Sequence, residues 1–462
     1  MTQDIVHADV VVVGGGPVGS LLAVELARTG ISVLVLEAAA KTVDVPKAGT
    51  VHARCVQALG RRGYLPAPDV RAAAQVTDFH YAGFMGLMIE SPAGEGEAIM
   101  GLSQGQLERH FHKLLLGFEN ATVMRSAEAL EVGQDADGVR VSFRHEGRER
   151  VAHALWVVGS DGARSVVRKS IGFSVTETAP TASAIVGVAQ IQTPARAAVP
   201  YGWHFGPRGW TVISYSPLGV SRLLAMDFHS PIPDRRTPVT EAEFVETLAR
   251  LSGQPIPIER ISYLSRFSDY SRLVDNCRQG RALLVGDAAH VHFPLGGQGM
   301  NLGMIDAIEL GWKLGAVVRG DISESVLDLY AAMRHEAGRR VLSNVADQTI
   351  RMRSAVELQA EPEEISRMMR DPLENARVGR MVSGQLSPAS TTLSAPEAGR
   401  FLSNARIELP DGTQSSIVEA LSVRSMPMRI PAPHAEGLLL GPDGIVYSEA
   451  ELVRHGLSAG AL

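Results

Sequence analysis

The sequence predicts an α/β fold in which a parallel sheet, built from distant parts of the chain, surrounds an inserted antiparallel sheet. Near the N-terminus, apolar β-branched runs at 9–13 and 31–36 flank a segment with helical spacing, as in a βαβ unit. Residues from about 176 to 270 are rich in Trp, Tyr and Pro and carry alternating strand patterns. The buried-strand pattern then returns at 282–285. These three observations define the predicted fold class.

A glycine motif joins the first strand to the first helix. Gly14, Gly16 and Gly19 match G-x-G-x-x-G, and Glu37 ends the second strand about 20 residues later. In this context the glycines allow a tight turn, close approach of a pyrophosphate, and close packing of helix on sheet. The acid is placed to accept hydrogen bonds from a ribose. A tight turn without a ligand is disfavoured because strand, turn, helix and acid all agree, so the pattern predicts a dinucleotide site.

Two later motifs place carboxylates at the same edge of the sheet. Asp161-Gly162 and Gly286-Asp287 each follow a buried strand, and α/β folds bind ligands where such strands end. Asp287 lies 250 residues beyond Glu37, so distant parts of the chain meet one elongated ligand. For Asp161, a simple turn remains the alternative.

Composition and charge exclude several classes of protein. The chain has 462 residues, 45% of them hydrophobic and 20% charged, which excludes a largely disordered chain. The net charge of −6 argues against nucleic-acid binding, and no apolar run is long enough to predict a membrane span. Two cysteines, Cys55 and Cys277, are too few for a disulfide framework. The N-terminus has no signal-peptide pattern, so we expect a cytoplasmic protein.

The string from Arg281 to Asn301, RALLVGDAAHVHFPLGGQGMN, identifies a resemblance. Together with the Gly14–Gly19 fingerprint and Asp161-Gly162, in that order, it resembles the class A FAD-dependent aromatic monooxygenases related to para-hydroxybenzoate hydroxylase. Within that group it is most similar to the hydroxylases of aromatic polyketides. The resemblance covers residues 8–385.

The resemblance implies roles for individual residues around FAD. Glu37 would hold the adenosine ribose and Asp287 the ribityl chain, while Pro294 and the turn from Gly297 to Asn301 would border the flavin ring. Gln104 matches a glutamine near the ribityl and phosphate region, and Asp161 is linked to both the FAD fold and the nicotinamide donor. One departure is Lys47-Ala48, where the family often has Arg before Ala, so the contact expected there loses the bidentate fork. The full set of cofactor candidates is Gly14, Gly16, Pro17, Val18, Gly19, Glu37, Ala38, Lys47, Ala48, Gln104, Asp161, Gly162, Gly286, Asp287, Pro294, Gly297, Gly299, Met300 and Asn301.

The resemblance also names the predicted domains. A Rossmann-like FAD-binding domain comprises 1–175, with substrate-side strands near 76–101, and 271–384 with its helices. The inserted sheet of 176–270 is the substrate domain, 385–398 is a Ser/Pro/Thr/Ala-rich linker, and 399–462 is a short C-terminal region. In that region Asp411-Gly412 and the stretch 441–447 resemble pieces of a truncated thioredoxin-like domain.

Aromatic and Met residues of the inserted sheet and its surroundings are candidates for the substrate wall, with simple sheet packing as the alternative for each. They are Phe84, Trp203, Trp210, Tyr215, Met226, Phe228 and Phe293. No catalytic acid–base pair is evident. His290 and His292 with Asp287 fall short of a metal site because no further nearby ligand accompanies them.

The implied function is a monooxygenase in which NADPH or NADH reduces FAD. O2 then forms a flavin C4a-hydroperoxide, which hydroxylates a polycyclic aromatic, polyketide-type substrate, as in antibiotic biosynthesis. Baeyer–Villiger insertion, epoxidation and ring rearrangement use the same cofactor chemistry and stay open, as does a non-catalytic flavoprotein helper in a biosynthetic complex. Because no second G-x-G-x-x-G unit follows a strand, the nicotinamide donor is expected to bind transiently. Neither nucleic acid nor membrane is an expected partner, and a homodimer is compatible with the sequence.

Overall fold

A computed structural model describes residues 5–42, 49–67, 78–91, 95–191, 201–215, 221–234, 237–386, 406–408, 413–422, 424–429 and 438–457. Its central layer is a six-stranded sheet whose strands come from widely separated parts of the chain. Four neighbouring pairs are parallel, and the first strand in the order is antiparallel. In spatial order the strands are Arg278–Gln279, Ala282–Leu284, Trp156–Gly159, Val10–Val13, Val33–Glu37 and Ala121–Arg125.

Helices cover this sheet and extend beyond it. In chain order they are α1 Pro17–Arg28, α2 Ala53–Arg61, α3 Gln104–Leu115, α4 Val166–Ile171, α5 Glu241–Ser252, α6 Gln298–Arg319, α7 Val326–Leu358, α8 Glu363–Arg370, α9 Pro372–Val382, α10 Ile417–Ser422 and α11 Glu449–Arg454. The central strand of four valines is wholly buried, which explains its uninterrupted apolar pattern. Helices α1 and α6 can approach closely because Gly311 and Gly315 of α6 lack a Cβ. A Cβ at Gly311 would lie 2.3 Å from Cβ of Glu25, and one at Gly315 would lie 2.3 Å from Oγ1 of Thr29.

The second layer is a five-stranded antiparallel sheet that lies wholly within the predicted insertion. Its strands, in spatial order, are Gly202–Gly206, Gly209–Tyr215, Ser221–Asp227, Ser183–Ile191 and Ile258–Ser268. One face packs on α5 through Leu223, Ala225 and Phe244. The opposite face carries Trp203 and Met226 and turns towards the body of the protein, because successive residues of a strand alternate between faces.

Smaller sheets complete the body. A four-stranded sheet contains Ile5–His7, Arg148–Ala154, Val139–His145 and Ala127–Gln134. A three-stranded sheet contains Val175–Thr178, Ser271–Val274 and His290–Val291. Three antiparallel pairs join Thr50–His52 to Ile99–Gly101, Asp78–Tyr81 to Phe84–Met88, and Arg406–Glu408 to Gln414–Ser416. In the described chain, no helix combines the length and apolarity that crossing a membrane requires.

The C-terminal region packs on the body of the same chain. It contains a three-stranded antiparallel sheet of Met428–Arg429, Leu438–Leu440 and Val446–Ser448. Asp443 accepts a hydrogen bond from Nε1 of Trp312 at 2.6 Å, and Nζ of Lys313 donates to the hydroxyl of Tyr447 at 2.7 Å. All four side chains are buried, so the region is anchored on α6 by a polar cluster. The thioredoxin-like assignment stays a prediction, and Asp411-Gly412 and most of the predicted linker lie outside the described residues.

Candidate functional site

One cavity of about 650 Å³ brings together the three sequence motifs and the inner face of the five-stranded sheet. It lies where the central parallel strands end, the usual ligand position in such folds. Of the predicted residues, those lining it are Gly16, Pro17, Val18, Gln104, Gly162, Trp203, Met226, Gly286, Asp287, Phe293, Pro294, Gly297, Gly299 and Met300. Gly14, Gly19, Glu37, Ala38, Asp161 and Asn301 lie in the supporting structure, while Lys47 and Ala48 lie outside the described residues.

The glycine turn leaves open space beside the backbone of Gly16. Gly14 has φ +101°, and a Cβ there would lie 2.4 Å from the carbonyl oxygen of Ser160. A Cβ at Gly19 would lie 2.0 Å from the carbonyl oxygen of Gly14. At Gly16, in contrast, a Cβ would meet no atom within 4 Å. Gly16 precedes α1 and has no side-chain cap, so the N-terminal N–H groups and dipole of this helix face a space that a phosphate can fill.

Glu37 is held by the backbone at the end of its strand. Its two carboxylate oxygens accept hydrogen bonds from the N–H of Gly15 at 2.6 Å and from the N–H of Ala39 at 2.7 Å. Each oxygen keeps further acceptor capacity for a ribose hydroxyl. On the neighbouring strand, Arg125 pairs with Glu108 at 3.0 Å beside this position. Sequence reasoning missed Arg125 because its strand carries no motif.

The two later acidic motifs differ in their structural roles. An oxygen of Asp161 accepts the N–H of Val166 at 2.5 Å, so this side chain caps the start of α4. Burial raises the pKa of Asp161, against the lowering effect of its hydrogen bonds. Asp287 instead has an exposed side chain at the cavity, as its predicted contact with a ribityl chain requires. Gly286, before it, has φ +59° and donates its N–H to Asp306 at 2.9 Å.

The loop before α6 borders the cavity with bare backbone. Gly296 and Gly297 both have positive φ, +69° and +63°, which glycine adopts without strain. Asn301 ties this loop to the strand Thr50–His52: its Oδ1 accepts the N–H of His52 at 2.8 Å, and its Nδ2 donates to the carbonyl of Thr50 at 3.0 Å. The predicted role of Asn301 at the flavin is therefore one of positioning.

These features fit FAD. The open cradle at Gly16 suits a pyrophosphate, Glu37 suits a ribose, and the bare backbone at Gly297 suits a flat ring. The ring of His52 supports this end of the cavity, since its Nε2 donates to the carbonyl of Gly296 at 2.6 Å. Its Nδ1 is buried and has no hydrogen-bond partner among the described residues, so an acceptor is left beside the loop.

Three of the seven predicted wall residues lie in the packed core beside the cavity. Trp210 is 1% exposed and donates its Nε1 hydrogen to the carbonyl of Met352 at 2.9 Å. Phe228 is buried in the same core, and Phe84 packs against Trp210 with ring centroids 5.3 Å apart. None of the three is among the residues that line the cavity, so their assignment to the substrate wall stays a prediction, with sheet packing as the alternative. The side chain of Tyr215 lies outside the described residues.

Sequence reasoning missed three polar residues at the substrate end of the cavity, His52, His80 and Arg222. His80 and Arg222 line it, and His52 packs edge-on against Phe79 at 5.3 Å. A single histidine on a short strand carries no recognisable motif, and Arg222 is one arginine among many. Only the packing of the separate hairpin Asp78–Met88 against the sheet, seen in the ring contact of His80 with Trp203, brings them together.

Buried neutral histidines predict a loss of stability on acidification. Burial lowers the pKa of His52 from 6.5 to about 4, the hydrogen bond to Gly296 opposing the shift. As the pH falls, His52 is therefore protonated near pH 6.5 in the unfolded chain but only near pH 4 in the folded chain. Stability from this group is complete above pH 6.5 and is lost as the pH falls towards 4. We expect a His52→Gln variant to show a flatter dependence of the urea midpoint on pH over this range, and parallel curves for the two proteins would contradict this explanation.

No group of three or more His, Cys, Asp or Glu side chains suited to a metal ion occurs within the described ranges. His290 instead pairs with Asp306, its Nε2 lying 2.7 Å from Oδ2. The half-buried side chain of His292 hydrogen-bonds through Nδ1 to the carbonyl of Phe293 at 2.8 Å.

Comparisons with known proteins identify a family and several relatives. The family model described as "FAD binding domain" matches residues 7–345. The chain is 32% identical over 431 residues to the 12-dehydrotetracycline 5-monooxygenase/anhydrotetracycline 6-monooxygenase of Streptomyces rimosus subsp. rimosus, covering 88% of this chain and 82% of that protein. The structure of CabE, an aromatic hydroxylase from angucycline biosynthesis, matches with a TM-score of 0.83 and 27% identity over 95% of both chains. That of the Diels-Alderase PyrE3, from pyrroindomycin biosynthesis, matches with a TM-score of 0.81 and 27% identity over 96% of both.

The family match spans both parts of the parallel sheet and the inserted sheet between them. It confirms the resemblance inferred from the motifs. The chain therefore belongs to the FAD-binding-domain family, and the relatives to which it is similar include a named monooxygenase and an aromatic hydroxylase.

Proposed function

We propose that this chain hydroxylates a polycyclic phenol of the aromatic polyketide type, with NADPH or NADH as reductant and O2 as co-substrate. The observation that carries the proposal is the continuity of the cavity. One end has the glycine turn and Asp287, and the other end has the apolar side chains of Trp203, Leu224 and Met226. A flat aromatic substrate can thus lie against the bare backbone of the loop at Gly297, where the ring of the cofactor is expected.

FAD, when bound and reduced by a nicotinamide donor, would supply the electrons that activate O2, and the protein supplies orientation and exclusion of water. Phe293 is buried and stacks on Phe267 with ring centroids 5.4 Å apart, so it closes the wall between the loop and the sheet. The N-terminus of α6 is formed by Gln298 and has no side-chain cap. Its dipole and N–H groups would stabilise negative charge on a reduced ring beside it.

The relatives support the substrate class. The Streptomyces relative is named for oxygenation of anhydrotetracycline and 12-dehydrotetracycline, and CabE is described as an aromatic hydroxylase from angucycline biosynthesis. The apolar end of the cavity in this chain is compatible with an aromatic ligand of that kind. Baeyer–Villiger insertion, epoxidation and ring rearrangement would use the same cavity and cofactor, and the product distinguishes them.

A second candidate function rests on the match to a Diels-Alderase of the same fold and nearly the same extent. In this alternative the chain keeps FAD but promotes a reaction without oxygen transfer, as a flavoprotein helper in biosynthesis would. The two candidates differ in whether substrate makes the bound FAD reducible by NADPH or NADH.

The test is anaerobic mixing of the purified flavoprotein with NADPH or NADH, with and without anhydrotetracycline and related polyketide phenols. We expect at least one phenol to accelerate bleaching of the flavin absorption. Air containing heavy-isotope O2 should then yield a product with one labelled oxygen atom. A protein that holds FAD but is not reduced with any phenol in the panel would favour the second candidate.

A further inference from the structure

The inner face of the five-stranded sheet changes from apolar to polar along its strands. Strand register places Trp210, Met226, Ala184 and Phe267 in one cross-strand row, next to Phe293 of the loop. Two rows further along are Ser214, Arg222, Val188 and Tyr263. Met226 and Arg222 are four positions apart on one strand, which corresponds to about 13 Å along it. A fused-ring substrate lying along this face would therefore contact apolar side chains at one end and lie near Arg222 at the other.

His80 faces this surface from the opposite wall. Its ring lies over Trp203, with centroids 4.3 Å apart, and it lines the cavity. Its Nδ1 accepts the N–H of Gly83 at 3.4 Å. Because a backbone N–H can only donate, the hydrogen of the neutral ring must reside on Nε2. Within the described part of the chain, Nε2 has no hydrogen-bond partner, so a donor is available to a ligand.

Burial favours a neutral ring at His80, and the cavity that this ring lines also holds an arginine. Burial, and secondarily His52, lowers the pKa of His80 to about 3, and burial also lowers those of His52 and His292. Of the described residues that line the cavity, Arg222 alone has a permanently positive side chain. The carboxylates of Asp78 and Asp287 also line it, but both residues are exposed, so solvent screens them more than the half-buried Arg222.

We propose that Nε2–H of His80 donates a hydrogen bond to an ionised phenolic oxygen of the substrate, with Arg222 supplying further positive potential. The inference rests on the proposed function and specifies its substrate class: phenols or enols acidic enough to bind as the anion. The phenolic proton leaves to bulk water on binding, and the O⁻ remains as a hydrogen-bond acceptor. A phenolate pushes electron density to its ortho and para carbons, which are the positions that an electrophilic oxygen attacks. His80 thus acts as a catalytic residue through the ionisation of the substrate.

The test uses alizarin, an acidic dihydroxyanthraquinone whose colour reports its ionisation, bound to the FAD-loaded protein. Visible difference spectra across pH give the pKa of the bound dye. We expect that pKa to lie about one to two units below that of the free dye, the range for a hydrogen bond to a charged group. His80→Phe keeps an aromatic ring against Trp203 but removes the donor, and should abolish most of the shift. His80→Gln, which keeps an N–H donor, should restore part of it.

Two controls separate a hydrogen bond from a change of shape. His204→Phe makes the same substitution on a histidine of the sheet strand that does not line the cavity, and should leave the dye shift unchanged. Alizarin dimethyl ether cannot ionise, so His80→Phe should weaken its binding far less than the roughly tenfold or greater loss expected for alizarin itself. Equal losses for the two ligands would overturn the proposal, as would an unshifted pKa or no binding of alizarin to the wild-type protein. The titration needs neither nicotinamide nor O2, so its failure is distinguishable from failure of the oxygenation assay.

Discussion

Replacing Gly16 with Val should leave a folded protein that no longer retains FAD. The site tolerates a side chain sterically, because φ is −65° and no atom lies within 4 Å of the position that a Cβ would take. The new side chain would instead occupy the space in which we place the pyrophosphate. Losing two charge-assisted hydrogen bonds at the N-terminus of α1 costs about 3–6 kcal/mol, or at least a hundredfold in affinity. Flavin fluorescence titration of the apoprotein measures the change.

The matched control is Gly133→Val, which adds the same side chain at another glycine with no neighbour within 4 Å, away from the cavity. It should bind FAD like the wild type. Gly16 is also the N-cap of α1, where exchange of Gly for an apolar residue costs about 1 kcal/mol. A Gly16→Val protein that binds FAD with unchanged affinity would show that the pyrophosphate lies elsewhere.

Replacing Asp306 with Asn should destabilise the protein by about 3–5 kcal/mol, the usual cost of removing one partner from a buried ion pair. Asp306, which is 1% exposed, accepts hydrogen bonds from Nε of Arg334 at 2.6 Å and from the N–H of Gly286 at 2.9 Å. Burial alone would raise its pKa, but Arg334 and His290 lower it to about 2. Its stabilising charge is therefore fully present above about pH 4 and is lost as the pH falls towards 2. The N–H of Gly286 shares its acceptor oxygen with His290, so the turn that carries Asp287 should loosen as well.

Urea unfolding followed by circular dichroism measures the loss of stability, and FAD titration measures the loosening of the turn. Glu374→Gln is the matched control, because Glu374 forms an exposed pair with Arg377 at 2.6 Å on α9. Such a surface pair contributes about 0–1 kcal/mol. Equal destabilisation by the two substitutions would contradict the assignment of Asp306 as the centre of a buried charge cluster.

The cofactor end of the site was predictable from the sequence because its requirements are local. Gly14, Gly16 and Gly19 serve a turn of six residues, and the backbone conformation of that turn depends on which positions lack a Cβ. The same holds for the loop at Gly296 and Gly297. Asp161 shows the limit of such reasoning, since its motif is real but its side chain caps α4 instead of lining the cavity.

The substrate end was not predictable in the same way, because its residues come from separate sheets that meet only in the tertiary structure. Trp210 and Trp203 both belong to the inserted sheet and look equally suitable in the sequence. Packing of α7 against the sheet covers Trp210 through Met352 and leaves Trp203 at the cavity. His80 reaches the site from a separate hairpin, and only its ring contact with Trp203 reveals its position.

By itself, the sequence determined the class of cofactor, the order of the motifs and the inserted antiparallel sheet, since each depends on short-range patterns of glycine, hydrophobicity and charge. Only the tertiary structure decided which aromatic side chains face the cavity, that the C-terminal region is anchored on α6, and that His80 presents a hydrogen-bond donor. The physical reason is that a buried surface and the tautomer of a histidine are set by neighbours far away in the chain. A sequence pattern indicates which roles a residue is suited to, and its neighbours in the folded structure determine which of those roles it has.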